Sequence, residues 1–439
     1  MKVVIMAGGK GTRIASVNSE VPKPMIPILG KPILEYELAV LRRQGYTDII
    51  MIVGHLGSVI TEYFGDGSKF GVSIQYISEK EPLGTAGALY YLKDDLVEDF
   101  LLLNGDIVFD IDIDRFCAYH KEKQGMATLF THPNNHPYDS GLVFADENGC
   151  VTNWLHKEEE RLWYRNRVNA GIHMLSPRIF SNDVTRELFG YPKKTDLDRD
   201  VLKPLIPCKQ LYAYDSPEYV KDMGTPDRFY EVIKDIESGK VQEKCLRNKQ
   251  KAIFLDRDGT INEYKGFLTD IDSFELIPGV CDAIRKINDS GYLAIVVTNQ
   301  PVIARGEVTY EELQKIHNKM ETLLGKEGAY VDAIYFCPHH PHKGYDGEIT
   351  ALKVECTCRK PRPGMLLEAA QKFNIDLSQS WMVGDGENDI RAGQAVNCST
   401  ALIQNDNAAD CGQTWIVHSL EEFAERLFDK DLVRMEEKE

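Results

Sequence analysis

Two aspartates, Asp256 and Asp258, follow directly on the apolar run Lys251-Ala-Ile-Phe-Leu255 and precede Gly259 and Thr260. A β-branched and aromatic stretch that stops at an acidic pair and a glycine reads as a buried parallel strand. Its C-terminal edge is where open α/β sheets place ligands. Residues two apart at a strand end share a face, so both carboxylates can address one centre, one as nucleophile and one as proton carrier. An acidic turn closing a strand would look the same in isolation, and residues downstream tip the balance toward chemistry. The run Gly291-Tyr-Leu-Ala-Ile-Val-Val297 ends in Thr298 and Asn299, a hydroxyl and an amide able to hold phosphate oxygens. Arg359 and Lys360 supply cations, and Trp381-Met-Val-Gly384 delivers Asp385, a carboxylate suited to Mg²⁺. Asp389, four residues on, reads either as an outer-shell partner of that metal or as an exposed helix acid.

Cysteines add a second constellation. Cys337 and His339 have one residue between them, as do Cys356 and Cys358. Three thiols and an imidazole make a tetrahedral Zn²⁺ set, and with every ligand supplied by the protein the site is structural. It would pin the loop carrying Arg359 and Lys360. His340 and His342 are alternative imidazoles, and free thiols are the plain alternative.

A third constellation opens the chain. After the apolar run Val3-Val-Ile-Met6 come Ala7, Gly8, Gly9, Lys10, Gly11, Thr12 and Arg13, and then Val21-Pro-Lys23-Pro-Met25. Glycines let backbone N–H groups approach phosphates, and the following helix adds its positive end. Arg13 and Lys23 supply charge. The order of these pieces resembles the sugar-1-phosphate nucleotidyltransferases. That resemblance implies nucleotide binding by Ala7, Gly8, Gly9, Gly11 and Thr12, with Arg13 and Lys23 serving catalysis. It also implies base recognition by Glu79, Gly84 and Thr85, whose Leu83-Gly-Thr-Ala-Gly87 wording is similar to guanylyl-transferring members. In the family, Asp106 and Asp222 hold Mg²⁺, and Lys157, Asn169 and Gly171 grip the sugar phosphate. His156 departs from the family's usual glutamate before that lysine.

The later half resembles the haloacid dehalogenase-like phosphatases. The resemblance implies attack on phosphorus by Asp256, proton transfer by Asp258, Mg²⁺ held by Asp256, Asp258 and Asp385, and phosphate contacts from Thr298, Asn299, Arg359 and Lys360. Cys-Pro-His-His-Pro with Cys-x-Cys-Arg-Lys-Pro is similar to heptose bisphosphate and histidinol-phosphate phosphatases. Pro301-Val302 and Gly386 depart from that pattern beside the expected phosphate site.

Positioning two such centres requires two sheets. At 439 residues the chain exceeds one ordinary core, and 43% hydrophobic with 27% charged residues is a globular composition. The pattern predicts α/β architecture throughout: a doubly wound nucleotidyltransferase domain with a mixed sheet over residues 1–237, a linker at 238–250, a phosphatase domain with a zinc loop at 251–430, and an acidic tail at 431–439. A net charge of −17 argues against nucleic acid and anionic membranes as partners. No run of ~18 apolar residues occurs, and the start runs straight into a strand, which points to the cytosol. Ten cysteines without a small-domain framework predict reduced thiols. Self-association is left open.

Together the resemblances imply a bifunctional enzyme. It would remove the C7 phosphate of D-glycero-D-manno-heptose 1,7-bisphosphate and then, with GTP, make GDP-heptose and pyrophosphate. The alternatives are the same reactions on another sugar or nucleotide, or one half that only binds.

Overall fold

A computed structural model describes residues 1–9, 21–404 and 410–429. The structure separates into two compact units. Unit 1 comprises Met1–His132, Val143–Leu155 and Asn169–Cys245; unit 2 comprises Pro133–Leu142, His156–Val168 and Leu246–Glu439. Residues 133–142 and 156–168 thus belong with the later half of the chain. Residues 238–250, read from composition as a linker, contain a short helix, Lys240–Glu243, and Val241 packs with Tyr219, Phe229 and Val232. A polar composition concealed that one apolar face.

Unit 1 is built on a mixed sheet. Its strands are β1 (Val3–Met6), β2 (Asp48–Val53), β3 (Ser73–Ser78), β4 (Phe100–Asn104), β5 (Ile107–Asp110), β6 (Ala127–His132), β7 (Leu142–Ala145), β8 (Val151–Leu155), β9 (Val168–Leu175), β10 (Leu211–Asp215) and β11 (Tyr219–Asp222). The order runs β8-β7-β9-β4-β1-β2-β3, with β6 pairing β9 and β10. Strand β1 lies between β2 and β4, parallel to both, and its nearly all-buried Val-Val-Ile-Met explains that central place. Strands β5 and β11 form a separate antiparallel ribbon in which Asp222 faces Ile107. Helices α1 (Ile33–Arg43), α2 (Gly57–Phe64), α3 (Ile113–Lys123) and α4 (Pro226–Glu237) accompany these strands; α4 starts at a Thr225 cap with Pro226 in its first turn.

Unit 2 carries a six-stranded sheet, all of whose pairings are parallel: β12 (Ala252–Leu255), β13 (Leu293–Asn299), β14 (Ala333–Cys337), β15 (Trp381–Gly384), β16 (Ser399–Ile403) and β17 (Trp415–Val417), ordered β14-β13-β12-β15-β16-β17. Its helices include α5 (Val280–Asp289), α6 (Tyr310–Lys326), α7 (Gly364–Phe373), α8 (Glu387–Gln394) and α9 (Leu420–Phe428). Apolar clusters line both faces of this sheet. Because β12 is central, in register with β15 at Leu255 and Val383, the residues just past those positions emerge side by side. Among the described residues, no helix is long and apolar enough to cross a membrane. None of the ten cysteines, all among the described residues, is in a disulfide.

Candidate active sites

Unit 2 gathers its chemistry at the strand ends that the sequence singles out. Asp256 prolongs the ladder, its N–H donating to Val383 O at 2.9 Å, which sets its side chain beside Asp385. Gly259 turns the chain there with φ +80°, and a Cβ on it would come within 2.1 Å of Asp385 Oδ2, so only glycine fits. Lys360 is buried, with Nζ 2.8 Å from Asp256 Oδ1 and 2.6 Å from Asp389 Oδ1. Burial opposes its charge, yet the Asp256 and Asp389 carboxylates hold its pKa above the ordinary lysine value. Burial pushes Asp256 up to about 6 against the pull of Lys360, and burial followed by the Asp256 charge pushes Asp385 up to about 6.

Asp256, Asp385 and Asp389 offer ligand oxygens within 4.8 Å of one another. Three carboxylates crowded so closely, each disfavouring its neighbour's charge, are a donor set that suits a hard divalent cation. Asp258, named from the sequence among the metal ligands, is not in this group. Its carboxylate is taken up by its neighbours: Arg257 Nη2 donates to both oxygens at 2.8 Å, Gln300 Nε2 to Oδ2 at 2.9 Å and Asn262 Nδ2 to Oδ1 at 3.1 Å. Asp389 stands in the cluster instead, and at 3% exposure it is no surface acid. Fully buried Arg257 in turn meets His317 Nε2 at 3.3 Å, where burial and then the Arg257 charge keep the imidazole neutral.

Thr298 and Asn299 lie at the end of β13, both engaged. Thr298 Oγ1 accepts from Gln300 Nε2 at 2.9 Å. Asn299 bonds the Lys360 backbone twice, Oδ1 accepting from Lys360 N and Nδ2 donating to Lys360 O, each at 3.0 Å. Asn299 therefore fixes the lysine that bridges the aspartates. Arg359 Nη1 donates to His339 O at 3.3 Å, tying it to the cysteine loop.

In that loop Cys337, His339, Cys356 and Cys358 converge, with sulfur separations of 3.3 to 3.5 Å and His339 Nδ1 3.4 Å from Cys358 Sγ. Three thiols and one imidazole nitrogen at this spacing fit zinc. His340 turns away, its Nδ1 3.2 Å from His342 O.

Unit 1 brings its candidates together more loosely. The β5–β11 pairing of Asp222 with Ile107 places Asp222 next to Asp106, and Met223 N donates to Asp106 O at 3.3 Å. Lys23, in a short helical turn Lys23–Met25, is 9% exposed and ion-paired to Asp106. Arg228 Nη1 contacts both Asp222 oxygens at 3.0 Å. Asp106 and Asp222, at neighbouring backbone positions and each facing a cation, are carboxylates of the kind that hold Mg²⁺.

The candidate base-recognition loop leans on the glycine loop. A Cβ on Gly8 would meet Glu79 Oε2 at 2.7 Å, and Glu79 Oε1 accepts from Leu83 N at 3.3 Å. Burial raises the Glu79 pKa. Gly84 presses against Thr195 O, while Thr85 Oγ1 accepts from Leu197 N at 2.7 Å, so this threonine ties the loop to its neighbour. Ala7 is buried at the end of β1 and Gly9 follows in the loop. Gly11, Thr12 and Arg13 lie outside the described residues.

Asn169 is the hub of the sugar-phosphate candidates. Its Oδ1 accepts from Gly171 N at 3.2 Å and faces His173 Nε2 at 3.1 Å; its Nδ2 donates to Asp198 Oδ1 at 3.4 Å. Gly171, at φ +75°, sits against Asn104, whose Nδ2 a Cβ would meet at 2.6 Å. Lys157 is exposed, and it belongs to the part of unit 2 that precedes Asn169.

Several residues escaped the sequence reading. Arg257 and Gln300 orient Asp258; Asp198, its pKa raised to about 7 mainly by burial, supports Asn169. Glu37 on α1 is buried near Asp106, its pKa well above the carboxylate range through burial first and the Asp106 charge second. Arg257 had a signal, a cation flanked by two candidate catalytic acids. Glu37 and Asp198 had none, since each is one acid in a helical stretch.

Residues 2–239 match the model of the nucleotidyl transferase family, and residues 210–397 match that of the haloacid dehalogenase-like hydrolases. The chain is 42% identical over 178 residues to the D-glycero-beta-D-manno-heptose-1,7-bisphosphate 7-phosphatase of Yersinia pestis, covering 38% of this chain and 90% of the relative. To the D-glycero-alpha-D-manno-heptose-1,7-bisphosphate 7-phosphatase of Burkholderia mallei it is 41% identical over 161 residues, covering 37% and 83%. Among solved structures, HddC from Yersinia pseudotuberculosis covers 54% of this chain and 99% of its own, at 26% identity and a TM-score of 0.46.

Proposed function

This chain belongs to the nucleotidyl transferases through its first half and to the haloacid dehalogenase-like hydrolases through its second, and on that premise we propose a two-step enzyme of nucleotide-sugar synthesis. Unit 2 removes the C7 phosphate of D-glycero-D-manno-heptose 1,7-bisphosphate. Unit 1 joins the resulting heptose 1-phosphate to GMP from GTP, giving GDP-heptose and pyrophosphate. The observation that carries this reading is the coexistence of a bisphosphatase relative with a nucleotidyl-transfer site, because a 1,7-bisphosphate stripped at C7 is a sugar 1-phosphate. The choice of GTP rests on the Leu83-Gly-Thr-Ala-Gly87 loop and on Glu79, whose carboxylate can accept from the guanine N1–H and N2–H groups.

In unit 2 an Asp256 oxygen attacks phosphorus and the C7 oxygen departs with a proton from Asp258, leaving a phosphoaspartate. Asp258 then takes a proton from water as that water attacks the phosphoaspartate, releasing phosphate and restoring both acids. Arg257, Asn262 and Gln300 aim Asp258, while Lys360 neutralises the nucleophile's surroundings and is held in place by Asn299. Asp256, Asp385 and Asp389 would hold Mg²⁺, which supplies positive charge against the phosphoryl oxygens.

In unit 1 no protein nucleophile is needed. An oxygen of the sugar phosphate attacks the α-phosphorus of GTP and pyrophosphate leaves, so the protein's task is to align two anions and offset their charge. Lys23 supplies a cation, Asn169 and Gly171 seat the sugar, and Asp106 with Asp222 would hold Mg²⁺. Zinc would be bound by Cys337, His339, Cys356 and Cys358 as a structural clasp for Arg359 and Lys360. Both reactions suit a cytoplasmic enzyme using soluble substrates.

The test supplies heptose 1,7-bisphosphate with GTP, ATP, UTP, CTP and dTTP separately, following phosphate, pyrophosphate and the sugar nucleotide. Stoichiometric phosphate, pyrophosphate and GDP-heptose with GTP alone is the expected result. Phosphate release with no sugar nucleotide from any triphosphate would overturn the coupled reading.

A further inference from the structure

Unit 1 holds a carboxyl group that its own fold leaves half used. Asp198 sits in the helical turn Leu197–Leu202, whose Leu197, Val201 and Leu202 are buried in one apolar core with Leu102 and Leu175. Two ties fix the start of that turn. Asp196 caps it, Oδ1 accepting from Arg199 N at 2.9 Å, and Leu197 N donates to Thr85 Oγ1 at 2.7 Å. Just before it, Thr195 N donates to Leu83 O at 2.9 Å and Thr195 O accepts from Ala86 N at 3.0 Å. The turn is therefore bound to the candidate base-recognition loop, and from it Asp198 reaches Asn169, whose Nδ2 donates to Asp198 Oδ1 at 3.4 Å.

Asn169 has little left to offer a ligand as an acceptor. Its Oδ1 already accepts from Gly171 N and lies 3.1 Å from His173 Nε2, and burial holds the pKa of that imidazole down at about 4. Asp198 is the opposite case. It is half-buried, its Oδ2 makes no hydrogen bond among the described residues, and neither oxygen is in an ion pair there. Burial and then the Asp196 carboxylate disfavour its charge, against the pull of the Asn169 amide and of Arg199. An acid so placed costs the fold stability, and groups kept at such a cost mark functional positions. Its place says what it can hold. Gly171 packs on Asn104, two residues before Asp106, so the seat at Asn169 lies at the strand end that leads to the metal acids. A carboxylate there repels a phosphate and accepts from hydroxyls.

We propose that Asp198 is a specificity-determining residue of the transferase, accepting through Oδ2 from a ring hydroxyl of the sugar 1-phosphate while Asn169 fixes its other oxygen. It turns the hydroxyl-bearing edge of the sugar toward itself and the phosphate away. The inference rests on the reading of unit 1 as a sugar-1-phosphate nucleotidyltransferase, and adds to it the group that selects among sugars carrying the same phosphate.

The experiment supplies the full chain, Asp198→Ala and Asp198→Asn with GTP and either heptose 1-phosphate or its monodeoxy derivatives, one for each ring hydroxyl, and follows pyrophosphate. Asp198→Ala should raise KM for heptose 1-phosphate about 20-fold, the scale of one hydrogen bond to a charged group. KM for GTP should stay within about twofold and kcat within about threefold, because binding of the acceptor alone is weakened. Asp198→Asn keeps the shape and one acceptor, so the same KM should rise about fivefold. Its melting temperature at about pH 8 should rise as well, whereas loss of a merely structural contact to Asn169 would lower it. For one deoxy substrate the wild type should lose about the same factor as Asp198→Ala does, and the two losses should not multiply. Losses that multiply for every deoxy substrate, or an unchanged KM in both variants while the wild type turns over heptose 1-phosphate, overturn the assignment. A wild type that releases no pyrophosphate from heptose 1-phosphate with any triphosphate removes the transferase reading, and the assignment falls with it. Should Asp198→Ala not fold, Asp198→Asn decides by the same comparison.

Discussion

The phosphatase centre is locked by its own partners, whereas the transferase centre is held more loosely. In unit 2 each acid has a partner at fixed distance: Lys360 bridges Asp256 and Asp389, and Arg257, Asn262 and Gln300 hold Asp258. In unit 1 the acids Asp106 and Asp222 are brought together by a two-stranded ribbon, each with one cation, while the exposed Lys157 sits on a separate segment. The chemistry explains the difference. An enzyme whose own carboxylate attacks phosphorus must hold that oxygen to a fraction of an ångström. One that joins two bound anions must leave room for both and gains from cations that reach them as they arrive.

This contrast can be broken in several places. Lys360→Ala should produce the largest effect: phosphate release falls about 10³-fold, because the buried cation paired with both Asp256 and Asp389 is lost. Pyrophosphate release from supplied heptose 1-phosphate should stay near wild type. If Lys360→Ala left phosphate release within about tenfold, the locked picture would lose its keystone.

Cys356→Ser should follow, at about tenfold in phosphate release, since an incomplete metal set loosens the loop that carries Arg359 and Lys360. Metal analysis should find zinc in the wild type and less in the variant. Zinc bound equally in both would dismiss Cys356 as a ligand.

The smallest effect concerns unit 1. Burial raises Asp198 to about 7, well above an unfolded aspartate, so the folded state binds its proton more tightly. That contribution to stability is complete below the unfolded pKa and is lost as pH rises through about 7. Asp198→Asn should therefore raise the melting temperature by a few degrees at pH 8 and by less at pH 5. An equal gain at both values would assign the change to packing instead of titration.

Much of this was legible in the sequence for a simple reason. Strands buried on both faces are continuous apolar runs, and a carboxylate that interrupts such a run, as Asp256, Asp385 and Asp106 do, marks the sheet edge where ligands sit. The cysteine loop announced itself by spacing. What stayed hidden depends on contacts between residues far apart in the chain. Asp389 read equally as an outer-shell partner or an exposed acid, and its pairing with Lys360 could not be foreseen; nor could the hold of Arg257 on both oxygens of Asp258. The place of residues 156–168 could not be read at all. Arg167 and Glu321, whose ion pair helps hold that segment within unit 2, are 154 positions apart, and neither carries a local pattern that names the other.

The most direct test of two separate phosphorus centres in one chain pairs Asp256→Asn with Asp106→Asn and measures both products for each. Asp256→Asn should reduce phosphate release from heptose bisphosphate to background and leave pyrophosphate release from heptose 1-phosphate at the wild-type rate; Asp106→Asn should do the reverse. Loss of both activities from either folded variant would contradict the account.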